Sequence, residues 1–217
     1  MMNEEELKAL ASQLSRPEGD LGVQVANTMN ESNIGMTIHA IKRLVLSPGA
    51  DVLEIGHGNC GHLEKFLALE KDLKYTGLEI SEQMQQEARR INDPLLSEDV
   101  RFLLYDGETL PFADRSFDAA FSVNTLYFWK EPAAFLDEVC RVLKNGGVFN
   151  LSFAGKEFMS TLPFTKYGFT LYSPEDLAQL AEASAFSAYK YEGAEEKITS
   201  KTGETVDRKF YTFSLIK

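Results

Sequence analysis

The chain has 217 residues, 44% hydrophobic and 25% charged, which is typical of a globular protein with one substantial core. Acidic residues outnumber basic ones by 33 to 22, and the net charge of −11 without a Lys/Arg cluster argues against a nucleic-acid partner. The sequence shows no apolar run of membrane-helix length, no secretory signal and no metal-ligand spacing around Cys60 and Cys140. We therefore expect a cytoplasmic protein with no membrane span and no metal.

The first 48 residues are predicted to be helical, because apolar residues recur at helical spacing in three stretches. The first stretch covers residues 3–14 and ends at a proline- and glycine-containing break. The second and third cover residues 23–29 and 34–45, and the polar residues 30–33 are predicted to separate them. This segment is expected to cap the sheet edge, or to form a lid that brings Gly19, Gly22 and Met29 near a ligand.

A buried strand, a glycine-rich turn and a helix are predicted from residue 51 onward. Gly56, Gly58 and Gly61 have the G-x-G-x-x-G spacing of dinucleotide-binding turns, in which backbone N–H groups approach the ligand closely. Glu54 lies two residues before the first glycine and would repel a pyrophosphate but attract a cationic amino group. The turn therefore favours a positively charged nucleoside, S-adenosylmethionine, over NAD.

A second acidic residue, Glu79, ends the next predicted strand, residues 74–80. It follows the glycine turn by about the 20 residues at which a carboxylate in such folds accepts hydrogen bonds from ribose hydroxyls. Ser81 is a predicted N-cap of the following helix. In that helix, Met84 either belongs to the core or covers one face of the adenine.

The third and fourth strands are predicted at residues 100–104 and 117–123. The turn after the third strand, Asp106 to Phe112, could offer a carboxylate and backbone N–H groups to the edge of a purine. The fourth strand ends at Asn124, and an aromatic connection leads to a helix after Pro132. A helix stop at residues 144–147 and a fifth strand, residues 148–153, follow.

The C-terminal part begins with an aromatic segment, residues 154–172, that lacks periodicity and is predicted to be a functional loop. Ser173 and Pro174 then predict the start of a helix. Strand-like runs at 188–192 and 209–216 flank Thr202-Gly203-Glu204 and predict a terminal hairpin.

The predicted fold class is α/β: a doubly wound, mostly parallel Rossmann-like sheet with a C-terminal antiparallel hairpin and an N-terminal helical cap. Ligands of such sheets bind at the carboxyl ends of the strands, where the acidic and glycine residues noted above fall. We predict one domain, 1–217, divided into a cap or lid (1–48), a cofactor-binding core (50–153), an acceptor-side loop (154–172), and a helix with hairpin (173–217).

At residues 52–58, Glu79, 106–112, 117–118 and 141–147 the sequence resembles class I S-adenosylmethionine-dependent methyltransferases, in particular the quinone-biosynthesis C-methyltransferase type. The resemblance covers about residues 50–153. It implies that Glu54 and the glycine backbone face the methionine moiety, Glu79 the ribose, Asp106-Gly107 the adenine, and Asn124 the methionine end. The family usually has a third glycine where this chain has Cys60, which either packs under the helix or weakens cofactor binding.

The implied function is methyl transfer to a small apolar or aromatic molecule by in-line displacement, which requires positioning and exclusion of water. No catalytic residue is assigned: a base is needed only if the acceptor loses a proton, and His39, His57, His62 and several tyrosines are available. A nicotinamide-dependent oxidoreductase and a non-catalytic nucleoside-binding module are the alternatives. The acceptor, the accepting atom and the oligomeric state, monomer or homodimer, are left open.

Two sets of site residues follow from these arguments. The predicted cofactor-binding residues are Glu54, Gly56, His57, Gly58, Asn59, Glu79, Ile80, Met84, Asp106, Gly107, Glu108 and Asn124. The predicted acceptor pocket is aromatic and consists of Tyr127, Trp129, Phe164, Tyr167 and Tyr172. The alternative for these five residues is that they seal the core.

Overall fold

The computed structural model describes residues 2–199 and 205–217, with only the backbone of Thr199. The predicted turn at Thr202-Gly203-Glu204 lies outside these residues. Seven strands form one sheet: β1 (Asp51–Ile55), β2 (Lys74–Glu79), β3 (Val100–Leu104), β4 (Phe117–Val123), β5 (Leu143–Ala154), β6 (Ala188–Thr199) and β7 (Thr205–Ile216).

The strand order is β3-β2-β1-β4-β5-β7-β6, which confirms the predicted fold class. The first five strands are parallel, and β7 pairs antiparallel with both β5 and β6. The order reverses between β1 and β4, so the carboxyl ends of these strands flank the crevice in which such sheets bind ligands.

Seven helices are present among the described residues: α1 (Glu4–Ser15), α2 (Gly19–Ile41), α3 (Leu63–Leu67), α4 (Glu82–Ile91), α5 (Pro132–Val142), α6 (Lys156–Met159) and α7 (Pro174–Ala183). Short 3-10 turns occupy Asp93–Leu95, Leu126–Phe128 and Pro163–Lys166. The predicted caps are confirmed, since the side chains of Ser81 and Ser173 accept N–H groups of the first turns of α4 and α7. None of the described helices combines the length and apolarity that crossing a membrane requires.

The sheet is covered on both faces, so consecutive residues of β1 and β2 are buried although they point to opposite sides. On one face, Phe149 and Leu151 pack with α5 and α7 in the larger core. On the other face, Val52, Tyr75 and Phe121 pack with residues of α2, α3 and α4. Successive residues of β1 therefore belong to different cores, and Glu54 points to the face covered by α2.

The predicted break in the cap at residues 30–33 is wrong, because α2 runs without interruption from Gly19 to Ile41. Its polar side chains do not mark a turn. Asn30 lies directly against Gly61, and Asn33 accepts a hydrogen bond from Arg208. They belong to a helix face that contacts polar groups of other elements.

The boundaries of three further segments differ from the predictions. The third helical stretch does not reach Val45, which is 91% exposed beyond the end of α2. The segment 154–172 is not a continuous loop, because it contains α6 and a 3-10 turn. The strand β5 begins at Leu143, directly after α5, so residues 144–147 are assigned to the strand and not to a helix stop.

Candidate active site

The glycine turn after β1 is held against β2 by its own backbone. The N–H of Gly56 donates to the carbonyl of Leu78 at 2.8 Å. Gly56 and Gly58 have φ values of +74° and +56°, which residues other than glycine rarely adopt. A Cβ atom at Gly56 would also collide with the side chain of Thr125. Both glycines are therefore required by the backbone, and both N–H groups are bonded within the protein, that of Gly56 to Leu78 and that of Gly58 to Glu79.

Glu79 is a buried carboxylate at the end of β2 and is bound by three backbone donors. It accepts the N–H of Gly58 at 2.9 Å, of Ile80 at 2.8 Å and of Ser81 at 3.1 Å. These bonds join the glycine turn to the start of α4. A carboxylate has about four acceptor positions, so it can still receive a ligand hydroxyl.

Glu54 lies beneath the glycine turn and is 3% exposed. It accepts hydrogen bonds from His62 Nε2 at 2.8 Å and from the hydroxyl of Tyr75. Burial disfavours the imidazolium form, but the Glu54 carboxylate outweighs this effect and places the pKa of His62 well above its ordinary value of 6.5. The protein thus supplies a cation for Glu54, a pairing that the sequence analysis missed although the two residues are close in the chain.

Cys60 occupies the position where the resembling family has glycine, and its φ of +51° explains that preference. Its sulfur lies 3.2 Å from the Tyr75 hydroxyl, and burial raises the pKa of the thiol. The donor atoms of Glu54, Cys60 and His62 lie within 4.8 Å of one another, close enough to hold a metal ion. In the structure they form one buried hydrogen-bonded cluster with Tyr75.

His57 is the buried side chain of the turn itself. Its Nδ1 lies 2.7 Å from the carbonyl of Gly58 and must donate to it, so Nε2 carries a lone pair. Burial lowers the pKa of His57, and Nε2 has no hydrogen-bond partner among the described residues. The ring fits because residue 77 is glycine, where a Cβ atom would lie 2.7 Å from it.

The third acidic turn, after β3, is exposed and rigid. Asp106 Oδ1 accepts the N–H groups of Glu108 and Thr109, both at 2.8 Å, and these bonds lower the pKa of Asp106. Gly107 has a φ of +86°, and Glu108 pairs with Lys130. Asn59, the remaining polar residue of the glycine turn, binds Asn27 of α2 through its side-chain amide at 3.0 Å.

A small void of about 70 Å³, here called the turn cavity, lies between the glycine turn and α2. Its walls include Glu54, Gly56, His57 and Met84 on one side and Met29, Asn30 and Asn33 on the other. This volume holds about two water molecules, so a nucleoside requires the α2 side chains to move. Of the polar groups in this wall, His57 Nε2 has no hydrogen-bond partner among the described residues.

A larger void of about 420 Å³, here called the apolar cavity, adjoins it. Half of its lining residues are leucine, methionine or phenylalanine, several of them from α1, α6 and the following 3-10 turn. Asn124, Tyr127 and Ala154 contribute from the ends of β4 and β5, and Val206 and Arg208 from β7. Met29 and Asn33 line both cavities, so they form the wall between them.

The structure separates the five predicted acceptor residues. Tyr127 and Phe164 line the apolar cavity. Trp129 and Tyr172 are buried in the larger core, and Tyr167 lies beneath the ammonium group of Lys8. The polar residues Asn33 and Arg208 of this cavity were missed, because they come from elements far apart in the sequence.

Comparison with known proteins gives a consistent result. Residues 53–151 match the model of a methyltransferase domain family. The phthiotriol/phenolphthiotriol dimycocerosates methyltransferase 1 of Mycobacterium ulcerans is 33% identical over 60% of this chain and 47% of its own length. The 2-methyl-6-phytyl-1,4-hydroquinone methyltransferase of a Synechocystis species is 34% identical over 48% of this chain and 31% of its own. The chain thus spans less than half the length of these curated relatives.

Among solved structures, the fold is similar to that of a chain in the complex between the Haloferax volcanii methyltransferase activator Trm112 and a methyltransferase candidate. The TM-score is 0.75, with 20% identity over 93% of this chain and 96% of the other. At this identity the similarity concerns the fold alone.

Proposed function

We propose that this chain, whose residues 53–151 match a methyltransferase domain family, is a class I S-adenosylmethionine-dependent methyltransferase that transfers a methyl group to a small apolar molecule bound in the apolar cavity. The family uses S-adenosylmethionine as methyl donor. The proposal depends on one observation: Met29 and Asn33 line both the turn cavity and the apolar cavity. A donor bound at the glycine turn and an acceptor in the apolar cavity would therefore meet across these two side chains.

The donor side is supported by the polar groups at the strand ends. Glu79 would accept the ribose hydroxyls, the backbone of Gly56 and Gly58 would contact the methionine part, and the turn at Asp106 would face the adenine. When bound, S-adenosylmethionine supplies an electrophilic methyl group on a sulfonium with a neutral leaving group. Glu54 would contribute negative potential beneath this group, shared with His62.

The chain's own contribution to the reaction is positioning and exclusion of water. The described residues that line the apolar cavity include no histidine, aspartate or glutamate. Burial raises the pKa of Tyr127, whose hydroxyl is bonded to the carbonyl of Ala154. These residues offer no ordinary general base, so we assign no catalytic residue, and a proton lost by the acceptor would have to pass to solvent.

The acceptor class follows from the cavity and from the relatives. The two curated relatives are named for a hydroquinone and for phthiotriol compounds, and the apolar wall suits a molecule with a hydrophobic body. C-methylation of a quinone precursor is one form of this proposal. We also propose the division into cap, core, acceptor-side segment and terminal hairpin at the boundaries given above.

The test begins with calorimetric titration of the full chain with S-adenosylmethionine, S-adenosylhomocysteine and NADH. We expect both sulfur nucleosides to bind, NADH not to bind, and Glu79→Ala to reduce affinity about 100-fold, because a buried charged acceptor is removed. Glu82→Ala, an exposed neighbour in α4, is the control. Binding of NADH alone would favour an oxidoreductase.

The second step is incubation with deuteromethyl-labelled cofactor and an apolar small-molecule extract, followed by mass spectrometry. A labelled product that forms with the parent chain, and not with Glu79→Ala, establishes transfer. Nucleoside binding without any labelled product would favour the non-catalytic binding module.

A further inference from the structure

One part of the lining of the apolar cavity is polar and is connected by contacts. Asn33, in the wall shared with the turn cavity, accepts a hydrogen bond from Arg208, the only charged residue among the described residues of the lining. Asn124 also lines the cavity and contacts Met36, which lies about one turn from Asn33 in α2. We call the part with Asn33, Asn124 and Arg208 the polar end, and apolar side chains of α1, including Leu10 and Leu14, line the cavity as well.

Arg208 is 4% exposed, and its charge is already neutralised within the protein. Its Nε and Nη2 atoms donate to Glu196 Oε1 at 3.1 and 2.6 Å, and Nη2 also donates to the carbonyl of Ser32 at 2.6 Å. A ligand carboxylate at this end would add a buried negative charge without an unpaired cation to balance it. Such burial is unfavourable, so the site disfavours anionic groups.

The side-chain amides at this end are oriented by their neighbours. Arg208 Nη1 only donates, at 2.8 Å, so the facing atom of Asn33 is Oδ1, and its Nδ2 has no partner among the described residues. The N–H of Ala154 donates to Asn124 Oδ1 at 3.2 Å, which leaves Asn124 Nδ2 with only a long contact of 3.6 Å to Met36 sulfur. Both amides therefore present N–H donors, and the complementary ligand atom is a hydrogen-bond acceptor.

We infer that the methyl acceptor is an amphipathic molecule with a hydrophobic body and a neutral oxygen-bearing head, such as a phenol, alcohol or ketone. The head binds the N–H groups of Asn33 and Asn124, and the body extends toward α1. This inference rests on the proposed function, since it treats the apolar cavity as the acceptor site. It places the head beside the wall that separates the two cavities.

The experiment compares three probes with the same heptyl chain and benzene ring: 4-heptylphenol, 4-heptylbenzoate and heptylbenzene. Each displaces the fluorescent neutral probe N-phenyl-1-naphthylamine from the full chain in the presence of S-adenosylhomocysteine. We expect 4-heptylphenol to bind about tenfold more tightly than either of the others. Its hydroxyl accepts hydrogen bonds that heptylbenzene cannot accept, and it carries no charge, unlike the benzoate.

The key variant is Asn33→Asp, which keeps an oxygen toward Arg208 and replaces the amide donor by an acceptor. We expect it to abolish the preference for the phenol over heptylbenzene. Asn145→Asp, the same change at an exposed position near the amino-terminal end of β5, should leave the preference intact. Thermal unfolding of both variants establishes that they are folded, and an Asn33→Ser variant repeats the test without a new charge.

Three results would overturn the inference: tighter binding of the benzoate, equal binding of the three probes, or an unchanged preference in both Asn33 variants. Failure of the proposed function is a separate result, because it is read from titration with S-adenosylhomocysteine alone. A chain that discriminates the probes but does not bind this nucleoside would retain the amphipathic site and lose the methyltransferase assignment.

Discussion

The two cavities that meet at Met29 and Asn33 are built in different ways. The turn cavity takes most of its polar groups from a short stretch of chain, and these groups are held by backbone hydrogen bonds and by unusual φ values. The apolar cavity combines side chains from α1 near one end of the chain with side chains from β7 near the other. Its apolar walls are held by packing, and its polar residues are held by hydrogen bonds between elements far apart in the chain, such as that of Arg208 with Asn33.

This difference indicates how each region should respond to substitution. In the turn cavity, a substitution can leave a buried charge without its partner or place a side chain where the backbone conformation does not allow one. Large losses in the free energy of unfolding are therefore expected. In the apolar cavity, one changed side chain alters volume and contact area, so graded effects are expected. The following experiments test this contrast from the largest expected effect to the smallest.

Glu54→Ala should destabilise the protein by about 3–5 kcal/mol, because it leaves the buried imidazolium of His62 without its counter-charge. The free energy of unfolding is measured by urea denaturation. Glu64→Ala, at an exposed position of α3, is the control. A loss of less than about 1 kcal/mol, the range of exposed ion pairs, would show that the cluster beneath the turn does not hold a paired charge.

Gly56→Ala should destabilise the protein by more than the roughly 1–2 kcal/mol that a left-handed conformation costs a side chain, because the new Cβ also collides with Thr125. Gly49→Ala provides a matched control, since Gly49 has a nearly identical φ of +75° and open space around it. The difference in unfolding free energy between the two variants, measured by urea denaturation, isolates the cost of the contact between the new Cβ and Thr125. Equal losses would mean that the turn can relax away from Thr125.

The pH dependence of stability should reveal the raised pKa of His62. The stabilisation that Glu54 gives the imidazolium is fully present below the unfolded pKa of about 6.5 and is lost as the pH rises through the folded pKa. The difference in unfolding free energy between the parent chain and Glu54→Gln should therefore fall by about 1.4 kcal/mol per pH unit above pH 6.5. A difference that stays constant from pH 5.5 to 8 would contradict a charged His62.

Leu10→Ala should weaken binding of N-phenyl-1-naphthylamine only about threefold, since a partly buried wall residue loses part of its apolar contact area. Unfolding free energy and S-adenosylhomocysteine affinity should be unchanged. Ala9→Gly, on the exposed side of α1, serves as a control for loss of helix stability. A large loss of nucleoside binding in Leu10→Ala would show that the two cavities do not respond independently.

The sequence was sufficient to predict the sheet, because buried parallel strands are apolar runs separated by recognisable turns. The carboxyl ends of β1, β2 and β3 could be located in the same way, since Glu79 and the glycines follow known spacings. The continuity of α2 could not be predicted, because the polar residues 30–33 are also typical of a turn. Only the contacts of Asn30 and Asn33 with other elements explain why a helix is polar there.

The partners of buried groups were also beyond the reach of the sequence. Glu54 was interpreted as a carboxylate facing a ligand, and its bonds to His62 and Tyr75 require the turn and β2 to be placed in space. Trp129 is aromatic and close to Tyr127 in the chain, yet it packs on Phe135 in the core. Residue type identifies a pocket-forming segment, but the direction of each side chain decides which members of that segment line the pocket.

The shared wall of Met29 and Asn33 has a consequence for the kinetic order of the reaction. These side chains stand between the two cavities, and a molecule occupying the apolar cavity would hinder the movement of α2 side chains that exchange of the proposed nucleoside requires. The nucleoside should therefore enter first and leave last. Initial-rate studies should then give product inhibition by S-adenosylhomocysteine that is competitive with the methyl donor and non-competitive with the acceptor, the pattern of a compulsory sequence.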